Sequence, residues 1–116
     1  MPLTKKPVTG MKDITPAEMQ IREYVMNQIR ETYKSFGFSQ IETPCVEHIE
    51  NLTSKQGGDN EKLIFKVLKR GDKLNLETAQ DENDLTDSGL RYDLTLPLSR
   101  YYANNASSLP SPFKAL

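Results

Sequence analysis

Apolar side chains recur at three- and four-residue intervals through Met19, Ile21, Val25, Met26, Ile29, Tyr33 and Phe36, with Tyr24 beside them. That period gathers them on one stripe of a helix. The start of the helix is marked three times over. Thr15 can cap it, Pro16 suits its first position, and Glu18 completes a capping box. Gly37 is placed to end it, near Ser35, in a left-handed turn. About twenty residues at 1.5 Å each span roughly 30 Å. This is long for a small domain, and a partner is expected to cover part of the stripe. Residues 1–14 carry Pro2, Pro7 and Gly10 without periodicity and read as an extended arm.

Beyond the helix the period shortens. Residues 38–43 (FSQIET) alternate as a strand does, and Pro44 stops it or marks an edge. Residues 46–55 fit no period well; a short helix containing Ile49 and Leu52 is expected. Gly57, Gly58, Asp59 and Asn60 form a loop. Residues 63–69 and 73–76 read as two strands joined at Arg70, Gly71 and Asp72, a hairpin over 63–76. Residues 77–88 (ETAQDENDLTDS) are acidic and nearly without apolar groups, which predicts a mobile loop or an extended hairpin tip. A strand at 89–93 then hands over to a helix from Thr95 to about Asn104. Residues 106–116 are rich in Ser and Pro and finish on the apolar Phe113, Ala115 and Leu116, as if a closing element were still to come.

Composition narrows the classes of function. The 116 residues suffice for one domain with a modest core. The apolar fraction is 36%, below the usual range of about 45–50%, which also counts Gly. The core is therefore economical, or another chain completes it. Fifteen basic residues against 16 acidic ones argue against a dedicated nucleic-acid-binding module, which is normally basic. Cys45 has no partner within the chain, so a reducing cytoplasm is expected. No apolar run approaches the roughly 18 residues that span a bilayer, and the first residues lack the apolar stretch of a secretory signal.

Most candidate chemistry is weak. No glycine-rich phosphate loop is present. Cys45 and His48 stand three apart, but a small buried thiol and a surface imidazole explain them better than a metal or nucleophile does. Glu47 and Glu50 flank His48 and read as solvated carboxylates. The basic stretch 66–73 reads as a solvated hairpin tip.

Asp93 and Thr95 are different. Side chains alternate along a strand, so Leu90, Tyr92 and Leu94 would share one face and Arg91, Asp93 and Thr95 the other. A polar face in an apolar neighbourhood suits a binding floor. There a carboxylate can hold an ammonium group by a charge-assisted hydrogen bond, and a neighbouring hydroxyl can fix its direction. The alternative is local: Thr95, two residues before Pro97, serves as a helix cap.

These residues also carry a resemblance. The stretch LRYDLTLP at 90–97, followed by Ser99, Arg100 and Tyr101, resembles the LRYDLT-P-aRY segment of histidyl-tRNA synthetases. GMKDITP at 10–16 looks like that family's G-x-(K/R)-D-x-x-P opening. The long helix through Gly37 and Phe38, then IETP at 41–44, resembles motif 1 of class II synthetases. Val46, Glu47 and the run GGDNEKLIFKVLKRGDKLNL at 57–76 follow in family order, although 77–88 is longer than the usual connection.

The resemblance implies an α+β fold, the N-terminal portion of a class II catalytic domain: an antiparallel sheet with flanking helices. It implies a homodimer through the motif 1 helix and strand, residues 15–44. It assigns the histidine α-amino group to Asp93 and Thr95, on the strand and helix at 89–105. For the whole enzyme it implies ATP and Mg2+, a histidyl-adenylate intermediate and tRNA(His) as acceptor, in the cytoplasm. Arginines of motifs 2 and 3 that handle ATP fall beyond residue 116, so this polypeptide by itself is expected to be inactive and to bind no cofactor well. Two alternatives share the fold: a synthetase-like regulatory subunit of ATP phosphoribosyltransferase, and a non-catalytic dimerisation module. An exact amine pocket favours the synthetase.

Overall fold

The computed structural model describes residues 1–53 and 59–116, so Gly57 and Gly58 of the expected loop and residues 54–55 of the expected short helix lie outside the described residues, while Asp59 and Asn60 of that loop belong to a 3-10 turn, Asp59–Leu63. The chain divides into two compact units, residues 1–40 with 114–116, and residues 41–113.

The first unit is built on helix α1, Pro16–Ser35. Its start follows the capping logic of the sequence. The Glu18 N–H donates to Thr15 Oγ1 at 3.4 Å, and the Thr15 N–H donates to Glu18 Oε2 at 3.2 Å. Lys12 Nζ reaches Glu18 Oε1 at 2.8 Å. Gly37 takes φ +82° and turns the chain out of the helix, a conformation that costs other residues more. The expected strand at 38–43 does not form a ladder. Only Ser39 is bridged, in parallel, to Ala115, through Ser39 N–H to Lys114 O and Leu116 N–H to Ser39 O, both 2.9 Å. The Tyr33 and Phe38 rings meet edge to face at 4.9 Å. No residue of α1 is buried, and Ile21 stays 68% exposed.

The second unit is a three-stranded antiparallel sheet with helices beside it, an α+β arrangement. Its elements run β1 (Val46–His48), α2 (Ile49–Thr53), β2 (Lys66–Leu68), α3 (Glu82–Leu85), β3 (Thr86–Leu90) and α4 (Thr95–Asn105). The strand order is β1-β3-β2, with β3 in the centre. Gly89 of β3 lies opposite both Glu47 of β1 and Lys66 of β2. A bulge between Val67 and Leu68 ends the second pairing. Among the described residues, buried groups are few: Leu52, Pro97, Gly89, Thr86 and Glu47.

Three expectations are corrected here. The hairpin over 63–76 is absent, because β2 pairs with β3 and residues 73–76 form no strand. Gly71 at φ +57° opens a 3-10 turn, Gly71–Lys73, and Leu74 N–H returns to Gly71 O at 3.0 Å. Asn75 Oδ1 then takes the N–H groups of Glu77 and Thr78. Donors that a ladder would need are spent in turns. Residues 77–88 are not one loop either. Asp81 caps α3 by accepting from the N–H groups of Asn83 and Asp84, and Thr86, Asp87 and Ser88 enter the central strand. Residues 46–48, expected to begin a short helix, are instead an edge strand, and the helix starts at Ile49.

Gly89 sits where α2 closes on the sheet. A Cβ there would lie 3.0 Å from Leu52 Cδ1, 3.1 Å from Ile64 Cγ2 and 3.2 Å from Phe65 O. Leu52 is buried, and Phe65 O is held by the Leu90 N–H at 2.8 Å, so neither yields freely. Gly89→Ala is expected to lose about 1–3 kcal/mol to overpacking, against a gain of roughly 0.4–1 kcal/mol from a stiffer unfolded chain. Urea denaturation should therefore show net destabilisation.

The Lys12 ammonium, and next the Thr15 N–H, hold the Glu18 carboxyl below its ordinary value. A lowered folded value means that this contribution is complete above the unfolded value and is lost as pH falls through the folded one. In an NMR titration, Lys12→Gln should move the Glu18 midpoint upward; an unmoved midpoint would refute the assignment.

Candidate functional site

The stretch between β3 and α4 is neither strand nor helix. β3 ends at Leu90, so Arg91, Asp93 and Thr95 do not alternate across a sheet face. A turn brings Asp93 and Thr95 together instead: Asp93 Oδ1 accepts the Thr95 backbone N–H at 2.9 Å. This also corrects the capping assignment. Thr95 is the first helical residue, Leu94 occupies the cap position without a side-chain bond, and Asp93 is the side chain that satisfies a free N–H of the first turn. Both Asp93 and Thr95 are exposed. Among the described residues the second Asp93 oxygen and the Thr95 hydroxyl have no hydrogen-bond partner. Carboxylate and alcohol thus stand at the head of α4 with capacity to spare.

The flanks of this turn are tied down. Before it, Arg91 Nη1 donates to Thr43 O and Thr43 Oγ1, both at 2.9 Å, and to Pro44 O at 3.3 Å. The Arg91 N–H reaches Cys45 O at 2.9 Å. After it, Pro97 is fully buried. Arg100 Nε then donates to both Glu47 oxygens, at 3.0 and 2.8 Å. The Glu47 side chain is only 2% exposed and that of Arg100 33%. A carboxylate so buried is tolerated because it is paired. Loss of one member of a buried pair costs about 3–5 kcal/mol, and the partial exposure of Arg100 points to the low end.

Glu47 was expected to be solvated, and sequence reasoning missed its role. The signal lay in two patterns. Glu47 is the middle residue of a three-residue strand, the only one of the three facing inward. Arg100 follows buried Pro97 by three residues, on the same face of α4. A cleft of about 260 Å³ lies over the pair, lined by Pro44, Val46, Glu47, His48, Ser88 and Arg100. His48 belongs to that cleft, whereas Cys45 lies before β1 and is exposed. Among the described residues no group of three His, Cys, Asp or Glu side chains could hold a metal. A more polar cleft of about 580 Å³ includes Glu50, Glu61, Lys66, Lys69 and Glu82, and its charges are of both signs. Lys66, expected at a solvated tip, is mostly buried and pairs with Glu82 at 2.6 Å. No helix among the described residues is long and apolar enough to cross a membrane.

Known proteins resemble this chain in sequence and in fold. A family model described as histidyl-tRNA synthetase matches residues 10–114. The histidine–tRNA ligase of Leifsonia xyli subsp. xyli is 44% identical over 114 residues, covering 95% of this chain and 26% of the relative. That of Porphyromonas gingivalis is 42% identical over 114 residues, covering 90% of this chain and 25% of the relative. Among solved structures, histidyl-tRNA synthetase from Nostoc sp. PCC 7120 superposes with a TM-score of 0.70 at 27% identity, covering 97% of this chain and 23% of that one. An ATP phosphoribosyltransferase regulatory subunit/histidyl-tRNA synthetase from Bacillus halodurans gives a TM-score of 0.74 at 22% identity, covering 99% and 27%; this likeness bears on fold alone. The chain spans about a quarter of the length of the curated relatives it matches. With the family model running from Gly10 to Lys114, through both arginine-anchored flanks and the turn between them, the chain belongs to the histidyl-tRNA synthetase family.

Proposed function

We propose that this chain is the N-terminal part of the catalytic domain of a histidine–tRNA ligase, and that Asp93 and Thr95 bind the α-amino group of histidine. The observation that carries the reading is the match of residues 10–114 to the family, a span that includes Asp93 and Thr95. The local chemistry supports it. Histidine presents a cationic ammonium group at neutral pH. The open oxygen of Asp93 offers it a charge-assisted hydrogen bond, and the Thr95 hydroxyl a second contact. Two fixed partners set the direction of the amine and so aim the substrate carboxylate. In the whole enzyme that carboxylate attacks the α-phosphorus of ATP, pyrophosphate leaves, and the resulting histidyl-adenylate passes histidine to tRNA(His).

ATP and Mg2+ belong to that proposal through the family. Among the described residues no group of three His, Cys, Asp or Glu side chains fits a metal ion. A homodimer through α1 and residues 38–44, in the cytoplasm, completes the reading. Its support is the apolar stripe of α1, none of which is buried. The regulatory-subunit alternative gains nothing from the Bacillus halodurans structure, since that comparison bears on fold only.

Asp93→Asn tests the amine contact cleanly. An asparagine oxygen can still accept the Thr95 N–H, so α4 keeps its start while the charge is removed. A hydrogen bond to a charged group is worth about 1.5–3 kcal/mol, or roughly 10- to 150-fold. The complete enzyme should show a rise of that order in the KM for histidine in pyrophosphate exchange, with little change in Tm. Equal losses in binding and stability would make the role structural. The 116-residue polypeptide alone, about a quarter of its relatives, should support no pyrophosphate exchange; robust exchange would overturn the division of labour proposed here.

A further inference from the structure

We infer that Arg91 and Arg100 are positioning residues for the amino acid: together they fasten both sides of the Asp93–Thr95 turn to one short stretch, Thr43 to Glu47. The inference rests on the reading of Asp93 and Thr95 as the amine-binding pair. It goes beyond that reading by naming what holds the pair in place.

Little else holds the turn. Tyr92 is 59% and Leu94 62% exposed, and Asp93 and Thr95 are exposed as well. Packing therefore fixes none of the four residues. The one bond inside the turn, Asp93 to the Thr95 N–H, sets its shape but not its place. Place is set from the flanks, by Pro97 packing and by the two arginines. Arg91 grips the stretch at Thr43 and Pro44, whose carbonyls lie just before β1, and its own N–H takes the next carbonyl, that of Cys45. Arg100 grips the same stretch at Glu47, through a carboxylate with almost no access to water. Pro44 has no N–H, so its neighbourhood depends on donors brought from elsewhere. Both anchors are directional. A guanidinium meets its acceptors in a plane, and replacing it with an ammonium keeps the charge but not the geometry.

Charge retention makes the test sharp. Arg100→Lys leaves Glu47 with a cationic neighbour, so the fold is kept while the anchor is altered; Arg91→Lys does the same on the other flank. The measurement, on the complete synthetase, is calorimetric binding of histidine and of 3-(imidazol-4-yl)propionate, which is histidine without its amino group. The whole amine contact is worth roughly 10- to 150-fold in binding, so a misaligned one is expected to lose about tenfold. Each lysine variant should weaken histidine about tenfold while leaving the desamino ligand within about twofold. Combined with Asp93→Asn, each should weaken histidine by less than it does alone, because the stronger of the two contacts it positions is already gone.

The outcomes separate the two claims. If Asp93→Asn weakens histidine selectively but the lysine variants do not, the positioning inference alone falls. If Asp93→Asn spares histidine, the amine-binding reading falls and takes this one with it. Equal weakening of both ligands by the lysine variants assigns the arginines a general structural role and overturns the inference. Should Arg100→Lys fold poorly, Glu47→Gln, which keeps an acceptor of the same shape, is read against the same criteria.

Discussion

One ion pair disciplines the second unit. Glu47 places a carboxylate where almost no water reaches, and the cost is bearable only while Arg100 lies against both of its oxygens. In a sheet of three short strands with so few buried side chains, this has consequences beyond its energy. Apolar contacts let a helix slide or roll by small amounts with little penalty. A buried carboxylate does not, because misplacing its partner exposes the full cost of desolvation. The pair therefore fixes α4 in rotation and along its axis, while Pro97 fixes its depth. Whatever α4 carries at its head inherits that fixity.

The central strand shows why part of this fold was hidden in the sequence. β3 reads Thr86, Asp87, Ser88, Gly89, Leu90, a composition with weak intrinsic preference for strands. Its conformation comes from pairing on both sides and from the space that Gly89 leaves for Leu52. Neither is visible locally. The elements that were legible carry their own punctuation: α1 with Thr15, Pro16, Glu18 and Gly37, and α4 between Thr95 and Asn105. Residues 73–76 show the converse failure. Their alternation suggests a strand, but the turn at Gly71 takes the Lys73 and Leu74 N–H groups, and Asn75 turns the chain onward by accepting those of Glu77 and Thr78.

The candidate site was legible in spacing and not in structure. Two residues apart can mean one face of a strand, and it can equally mean a side chain reaching the backbone two positions on. Asp93 and Thr95 are the second case. The distinction matters for chemistry. On a strand both oxygens of the carboxylate would be available to a ligand, whereas here one is committed to a backbone N–H. The remaining oxygen is better defined in direction, since the first fixes the plane of the group. Glu47 was missed for a related reason. Taken as part of a helix it looks solvated, but as the inward residue of a three-residue strand it must find a cation, and Arg100 is the one that reaches it.

α1 poses the opposite problem. Its ends are well specified and its apolar stripe is regular, yet none of its residues is buried. Capping supplies only about 1 kcal/mol. Helices in proteins draw most of their stability from burying such a face, and exposures of 39% at Met26 and Ile29 or 67% at Tyr24 leave that source largely untapped. The edge-to-face contact of Tyr33 with Phe38 and the strap of Ser39 against Ala115 secure only its C-terminal end. A chain with 36% apolar residues can ill spare so many on a surface facing water. Contiguous exposed apolar surface of this kind is what supports the proposed homodimer. In that proposal the length of α1 has a physical reason, because a longer stripe gives a second copy more to bury.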